Sequence, residues 1–219
     1  MLRLNILYRG PLVSCNYACD YCPFAKRAES RQELASDRSA LERFVAWAGS
    51  QKNDCLGIFF TPWGEALIRP WYQRALAQLT QFDHVERAVI QTNLSCSLAW
   101  IDECRLDRLA LWATFHPTEV SLSNFVDRVR RLYEHGVTMS VGVVGLREHF
   151  QMIRELRTAL PTEVYVWINA YKRLTDYYST ADQRELEAID PFFPVNNQRH
   201  ASLGNPCHAG ATSFTVDGD

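Results

Sequence analysis

Short runs rich in β-branched and aromatic residues recur along the chain, at 2–8, 56–61, 85–93, 108–116, 137–145 and 163–172. Each has strand length and ends in polar or turn-forming residues. Between them the apolar period lengthens. Leu41, Phe44, Val45 and Ala48 fall at i, i+3, i+4 and i+7, with Gly49 as the stop. Leu122, Phe125, Val126, Val129 and Tyr133 repeat that spacing between an N-capping Ser121 and a C-terminal Gly136. Strand alternating with helix predicts a parallel sheet with right-handed crossovers. At roughly 30 residues per unit, eight units would need ~240, whereas 219 residues accommodate six. The expected fold class is α/β, a partial (β/α)6 TIM-like barrel of parallel strands over 1–190. A loop begins at Pro191 and leads into a short C-terminal extension, 191–219.

The strands are two-faced. Leu109, Leu111, Ala113 and Phe115 alternate with Trp112, Thr114 and His116, and Val164, Val166, Ile168 and Ala170 with Tyr165, Trp167, Asn169 and Tyr171. Gln91 and Asn93 in the third strand, and Ser140 and Gly142 in the fifth, continue the second face. A closed eight-strand barrel fills its interior with branched aliphatics. Polar and aromatic residues in their place predict a lumen that holds a ligand near the C-terminal strand ends.

Composition narrows the function. With 23 Lys+Arg against 25 Asp+Glu the formal net charge is -2, which leaves no basic excess for default nucleic-acid binding. No apolar run approaches the ~20 residues that cross a bilayer. Met1-Leu2-Arg3-Leu4 reads as the start of a strand, not a signal peptide. Three of the seven cysteines crowd into eight residues, a pattern that fits a metal site in a reducing, cytoplasmic compartment better than a disulfide framework.

Those three stand in Ser14-Cys15-Asn16-Tyr17-Ala18-Cys19-Asp20-Tyr21-Cys22-Pro23, directly after the first strand. Zinc takes thiolates readily, but a structural zinc site needs a fourth ligand, and Cys55, Cys96 and Cys104 are scattered singly. Each of these reads as a small core residue. An iron–sulfur cluster takes four thiolates when saturated, so three would leave one iron open to an exogenous ligand.

The C-x3-C-x2-C spacing, with the aromatic Tyr21 before the last cysteine, resembles the radical S-adenosylmethionine (radical SAM) superfamily. Tyr8-Arg9-Gly10-Pro11-Leu12 and Cys22-Pro23-Phe24-Ala25-Lys26-Arg27 are similar to a group of small, functionally unassigned bacterial members. The resemblance implies a [4Fe-4S] cluster on Cys15, Cys19 and Cys22, with SAM on the fourth iron. It also implies reductive cleavage of SAM to a 5′-deoxyadenosyl radical that abstracts hydrogen from a peptide or small-molecule substrate. Electrons would come from a flavodoxin or ferredoxin, with no membrane or nucleic-acid partner.

Further segments carry the resemblance. Thr61-Pro62-Trp63-Gly64-Glu65-Ala66 is similar to the Gly-Gly-Glu-Pro segment that receives the SAM amino group, with Trp63 and Ala66 as departures. Gly64 and Glu65 are the residues carried over, and Trp63 is a candidate platform for methionine or substrate. Asn93 and His116 end strands three and four, where such enzymes place groups against the SAM carboxylate or ribose. His116 is also the candidate acid/base. Val143, Gly145 and Glu148 match a G-x-I-x-G-x-x-E segment in which Val141 replaces the first Gly. Tyr21, Val143 and Asn169 complete the implied cofactor-binding set. Cys207-His208-Ala209-Gly210 and Ser213–Val216 with Asp217-Gly218 look like the opening of a SPASM or twitch module. The expectation is an incomplete auxiliary module, because one Cys cannot hold a cluster. A non-catalytic iron–sulfur or zinc-binding barrel is the alternative reading.

Overall fold

The computed structural model describes the chain except Pro23, Ala25, Lys26, Ser202, Asn205, Cys207, His208, Gly210, Ala211, Gly218 and Asp219. The expectations for Lys26, Cys207, His208, Gly210 and Gly218 therefore lie outside the described residues. Seven strands belong to one parallel sheet: β1 (Arg3–Tyr8), β2 (Cys55–Phe60), β3 (Val85–Thr92), β4 (Leu109–Phe115), β5 (Thr138–Val144), β6 (Tyr165–Asn169) and β7 (Ser213–Val216). Six helices accompany them among the described residues: α1 (Arg31–Ser50), α2 (Pro70–Gln81), α3 (Leu122–Glu134), α4 (Phe150–Ala159), α5 (Thr180–Glu187) and α6 (Phe193–Asn197). None is long and apolar enough to cross a membrane.

The chain divides into two compact units. The first contains Met1–Leu111, Gly136–Thr138 and Cys207–Asp219. Its strands run β7-β1-β2-β3, followed by the first residues of β4. β1 pairs with β2 in register from Arg3↔Cys55 to Tyr8↔Phe60. Helix α1 starts in a capping box: Ser30 Oγ accepts from Glu33 N at 3.2 Å, and Glu33 accepts from Ser30 N at 2.7 Å. Its predicted stripe, Leu41, Phe44, Val45 and Ala48, is buried. Asp37 on α1 is fully buried and accepts from Trp71 Nε1 at 2.7 Å and Tyr72 Oη at 2.9 Å, which satisfies its carboxylate at the α1–α2 contact.

The second unit contains Trp112–His135 and Met139–Pro206, with the end of β4 followed by β5 and β6. Ser121 caps α3, accepting from Asn124 N at 3.3 Å, and Gly136 follows that helix at φ +89°. Leu132 takes the buried place that the spacing gave to Tyr133, which is exposed. The two-faced strands are borne out in burial. Ala113, Phe115, Val166 and Ile168 are buried, while Trp112, Thr114, Trp167 and Asn169 keep solvent-accessible surface.

Two features depart from the expected six strands and C-terminal loop. The segment after Pro191 contains α6, and Ser213–Val216 forms a seventh strand paired in parallel with β1, from Asn5↔Ser213 to Tyr8↔Val216. Four residues are too few for periodicity to separate a strand from a turn.

Candidate functional site

The cysteine loop leaves β1 and is held from two directions. Glu29, just before α1, accepts from Val13 N at 3.2 Å and Ser14 N at 3.1 Å, and also from Ser14 Oγ. Arg69 donates to the same hydroxyl at 2.8 Å. On the other side, Glu65 N donates to Ser14 O at 3.0 Å. Gly64 lies so close that a Cβ on it would sit 1.9 Å from that carbonyl oxygen. Glycine is required here by contact, since only a residue without a side chain lets the two backbones meet.

Within the loop, Tyr17 N donates to Cys15 Sγ at 3.4 Å and Cys22 N to Cys19 O at 3.3 Å. Cys19 and Tyr21 are buried, and Cys15 and Cys22 half-buried. A backbone N–H aimed at sulfur favours the thiolate form that metals bind. The chemistry of this donor set fits the implied [4Fe-4S] cluster. Among the described residues no three His, Cys, Asp or Glu side chains converge on a single-ion position. A cubane takes each thiolate at a different iron, so it does not ask for that convergence.

Glu65 follows β2 and is 3% exposed. Its carboxylate accepts from Leu67 N at 3.0 Å, Thr92 Oγ1 at 2.9 Å and Asn93 N at 2.5 Å. Among the described residues no cationic side chain pairs with it. Burial pushes its pKa up to about 7, against the downward pull of the bonds from Asn93, Thr92 and Leu67. A buried carboxylate without a cation, beside the cysteine loop, fits the amino group of SAM. Asn93 is buried at the exit of β3. Its Nδ2 donates to Asn16 Oδ1 at 3.1 Å and its Oδ1 accepts from Ser95 N at 2.9 Å. Trp63 is 39% exposed, with the Arg9 guanidinium 4.3 Å above its ring and the Phe24 edge 5.1 Å away. It is a partly exposed residue packed against Arg9 and Phe24, not a buried core residue.

The second unit carries the other expected positions. His116 directly follows β4, and its carbonyl accepts from Glu119 N at 3.0 Å and Val120 N at 3.2 Å. Val143 is fully buried and pairs in register with Ile168. Asn169 ends β6 exposed, and its carbonyl accepts from Gly145 N at 2.9 Å. Gly145 is clamped by Tyr178, whose hydroxyl donates to Gly145 O and accepts from Tyr171 N, both at 2.7 Å. Trp167 covers Gly142, where a Cβ would lie 2.3 Å from the indole, and packs edge-on to Trp112 at 4.8 Å.

No protein-family model matches the chain, and no curated protein does. Among solved structures, a histidine-tagged form of anSMEcpe, an anaerobic sulfatase-maturating enzyme with bound AdoMet, matches with a TM-score of 0.61 at 13% identity, over 99% of this chain and 72% of that one. The native enzyme with AdoMet and the Cp18Cys peptide gives equal figures. With the Kp18Cys peptide it gives 0.61 at 11%, over 90% of this chain and 62% of that one. This chain shares the fold of these AdoMet-bound enzymes. At such identities the likeness is one of fold. In this chain the first unit contains Cys15, Cys19, Cys22, Tyr21, Gly64, Glu65 and Asn93; within it Gly64 and Glu65 meet Ser14, and Asn93 meets Asn16 and Glu65.

Sequence reading missed Glu29, Arg69, Asn16, Thr92 and Ser95. Thr92 lies beside the predicted Asn93, and Asn16 lies inside the motif, so both stood next to a legible signal. Glu29 and Arg69 carried none, because each meets Ser14 only through the tertiary fold.

Proposed function

We propose that this protein is a radical SAM enzyme that binds a [4Fe-4S] cluster on Cys15, Cys19 and Cys22. The observation that carries the reading is Glu65, a buried carboxylate with no cationic partner among the described residues, joined through Gly64 and Ser14 to the cysteine loop. When bound, the cluster and SAM supply reductive cleavage of the sulfonium to methionine and a 5′-deoxyadenosyl radical that takes hydrogen from the substrate. The residues around them bind and orient. Glu65 receives the amino group, and Gly64 lets the backbone approach. Tyr21, Asn93, Val143 and Asn169 contribute to the SAM-binding positions. His116 holds or moves a proton at its imidazole for the substrate.

The substrate class proposed is a peptide or small molecule, and the electron donor a flavodoxin or ferredoxin in a cytoplasmic, reducing setting. A peptide is supported by the neighbour of the same fold that holds AdoMet together with a peptide. The segment 191–219 is proposed to be the opening of an auxiliary module. Anaerobic reconstitution with iron and sulfide, followed by dithionite and SAM, tests the function. 5′-Deoxyadenosine and methionine are the expected products. A bound cluster without 5′-deoxyadenosine would overturn the enzyme assignment, and one zinc without acid-labile sulfide would overturn the cluster.

A further inference from the structure

The turn that leaves β3 holds the cysteine loop by side chains. Asn93 Nδ2 donates to Asn16 Oδ1 at 3.1 Å, Asn16 Nδ2 to Ser95 Oγ at 3.0 Å, and Ser95 Oγ to Asn16 Oδ1 at 3.3 Å. Asn16 is the first residue inside the Cys15–Cys19 spacing, so these bonds act on the segment that carries two thiols. The turn itself is held in a costly conformation. Leu94, between Asn93 and Ser95, is buried at φ +56°, a left-handed region that a bulky residue occupies only where its surroundings hold it. Leu94 N donates to Thr92 Oγ1 at 3.0 Å, Thr92 Oγ1 donates to Glu65, and Asn93 N donates to the same carboxylate. Glu65 thus organises the turn, and the turn organises Asn16.

We propose that Asn16, Ser95 and Asn93 form a bracket that presets the cysteine loop before any metal enters, with Asn93 as the positioning residue that couples the loop to Glu65. Its significance rests on the proposed function, but its geometry rests on the side-chain hydrogen bonds among Asn16, Ser95 and Asn93. A preset loop presents thiols whose ordering cost was met on folding. Coupling through Asn93 also means that a change at Glu65 is felt at Cys15 and Cys19 without direct contact. Residues that share one hydrogen-bond network respond non-additively when cut in pairs.

The test is iodoacetamide alkylation of the full chain, chelated and anaerobic, with the rate at each cysteine read by mass spectrometry. Asn16→Ala, at an exposed position, is expected to raise alkylation at Cys15 and Cys19 about fivefold, the scale of one net hydrogen bond. Cys55 should keep its rate. Asn16→Asp retains the acceptor for Asn93 and for the Ser95 hydroxyl, so this variant should return the rates toward the starting protein. Glu65→Gln should raise the same two thiols, yet add nothing in the Asn16→Ala background. If Asn16→Ala unfolds the chain, the buried Cys96 will react as well, and Ser95→Ala then decides by the same readout. Unchanged rates at Cys15 and Cys19 in Asn16→Ala and Ser95→Ala overturn the bracket. Independent, multiplying effects of Glu65→Gln and Asn16→Ala overturn the coupling. Failure of the unaltered chain to take up iron and sulfide would strike the proposed function while leaving this readout intact.

Discussion

Gly64 and Ser14 meet backbone to backbone: a Cβ on Gly64 would fall 1.9 Å from the Ser14 carbonyl oxygen and 2.6 Å from its carbon. The residue before the first cysteine and the residue before the buried glutamate are therefore positioned as one piece.

Gly64→Ala should force that contact apart. A backbone atom cannot rotate away as a side chain does, so the cost sits at the upper end for overpacking, about 3 kcal/mol. For a chain of this size that corresponds to a Tm drop of roughly 6–12 °C. Gly136→Ala is the control. It has nothing within 4 Å but sits at φ +89°, so only backbone strain of about 1 kcal/mol applies. Thermal denaturation of the two variants should rank them in that order.

SAM affinity should depend on pH through Glu65. Burial pushes the pKa of its carboxyl up to about 7, and an ammonium group binds the ionised form. Below about pH 7 the proton must leave before the ligand is held, so affinity should weaken by up to tenfold per pH unit and level off above it. Titration calorimetry of the reconstituted protein from about pH 6 to about pH 8, which brackets that value, reads this directly. Flat affinity across the range would contradict the role of Glu65. Glu65→Ala should lose SAM binding while retaining the cluster.

Cys19→Ala should abolish the brown chromophore on reconstitution, since the side chain removed is one of three thiolates from a single loop. Glu29→Gln should act differently. The amide still accepts through one oxygen but loses the charge that holds Val13 N, Ser14 N and Ser14 Oγ, and charge-assisted bonds are about twice as strong as neutral ones. The expected result is a cluster that forms but releases iron several-fold faster to a chelator, as iron content against time would show.

Gly142→Ala should displace Trp167, whose indole occupies the space of the new Cβ at 2.3 Å. Near-ultraviolet circular dichroism should lose part of the signal of the Trp112–Trp167 pair, and Trp167→Phe in the same background should restore stability. Retained dichroism in Gly142→Ala would show that the indole does not lie over β5.

Much of this molecule was legible in the chain. Alternation over five to eight residues located β1 to β6, because side chains on a strand change face at every step. Ser121 and Gly136 marked the ends of α3 through capping chemistry that acts within four residues. The cysteine spacing, Gly64 and Glu65 stood out through their resemblance to short family motifs, which lie within a few consecutive residues. β7 stood out only as the opening of an auxiliary module, since four residues carry too little pattern to show that they pair in parallel with β1.

What the sequence determined by itself is therefore local: element types, the two-faced strands, and the donor set of the cysteine loop. The tertiary structure decided which distant residues serve that loop. Asn16 and Asn93 are 77 positions apart, and Ser14 and Arg69 are 55. Nothing in either neighbourhood signals the other, because hydrogen bonds have a reach of about 3 Å and only the order of strands in the sheet brings such groups within it. The same ordering deprives Glu65 of water and raises its pKa, a property that belongs to its surroundings and not to its side chain.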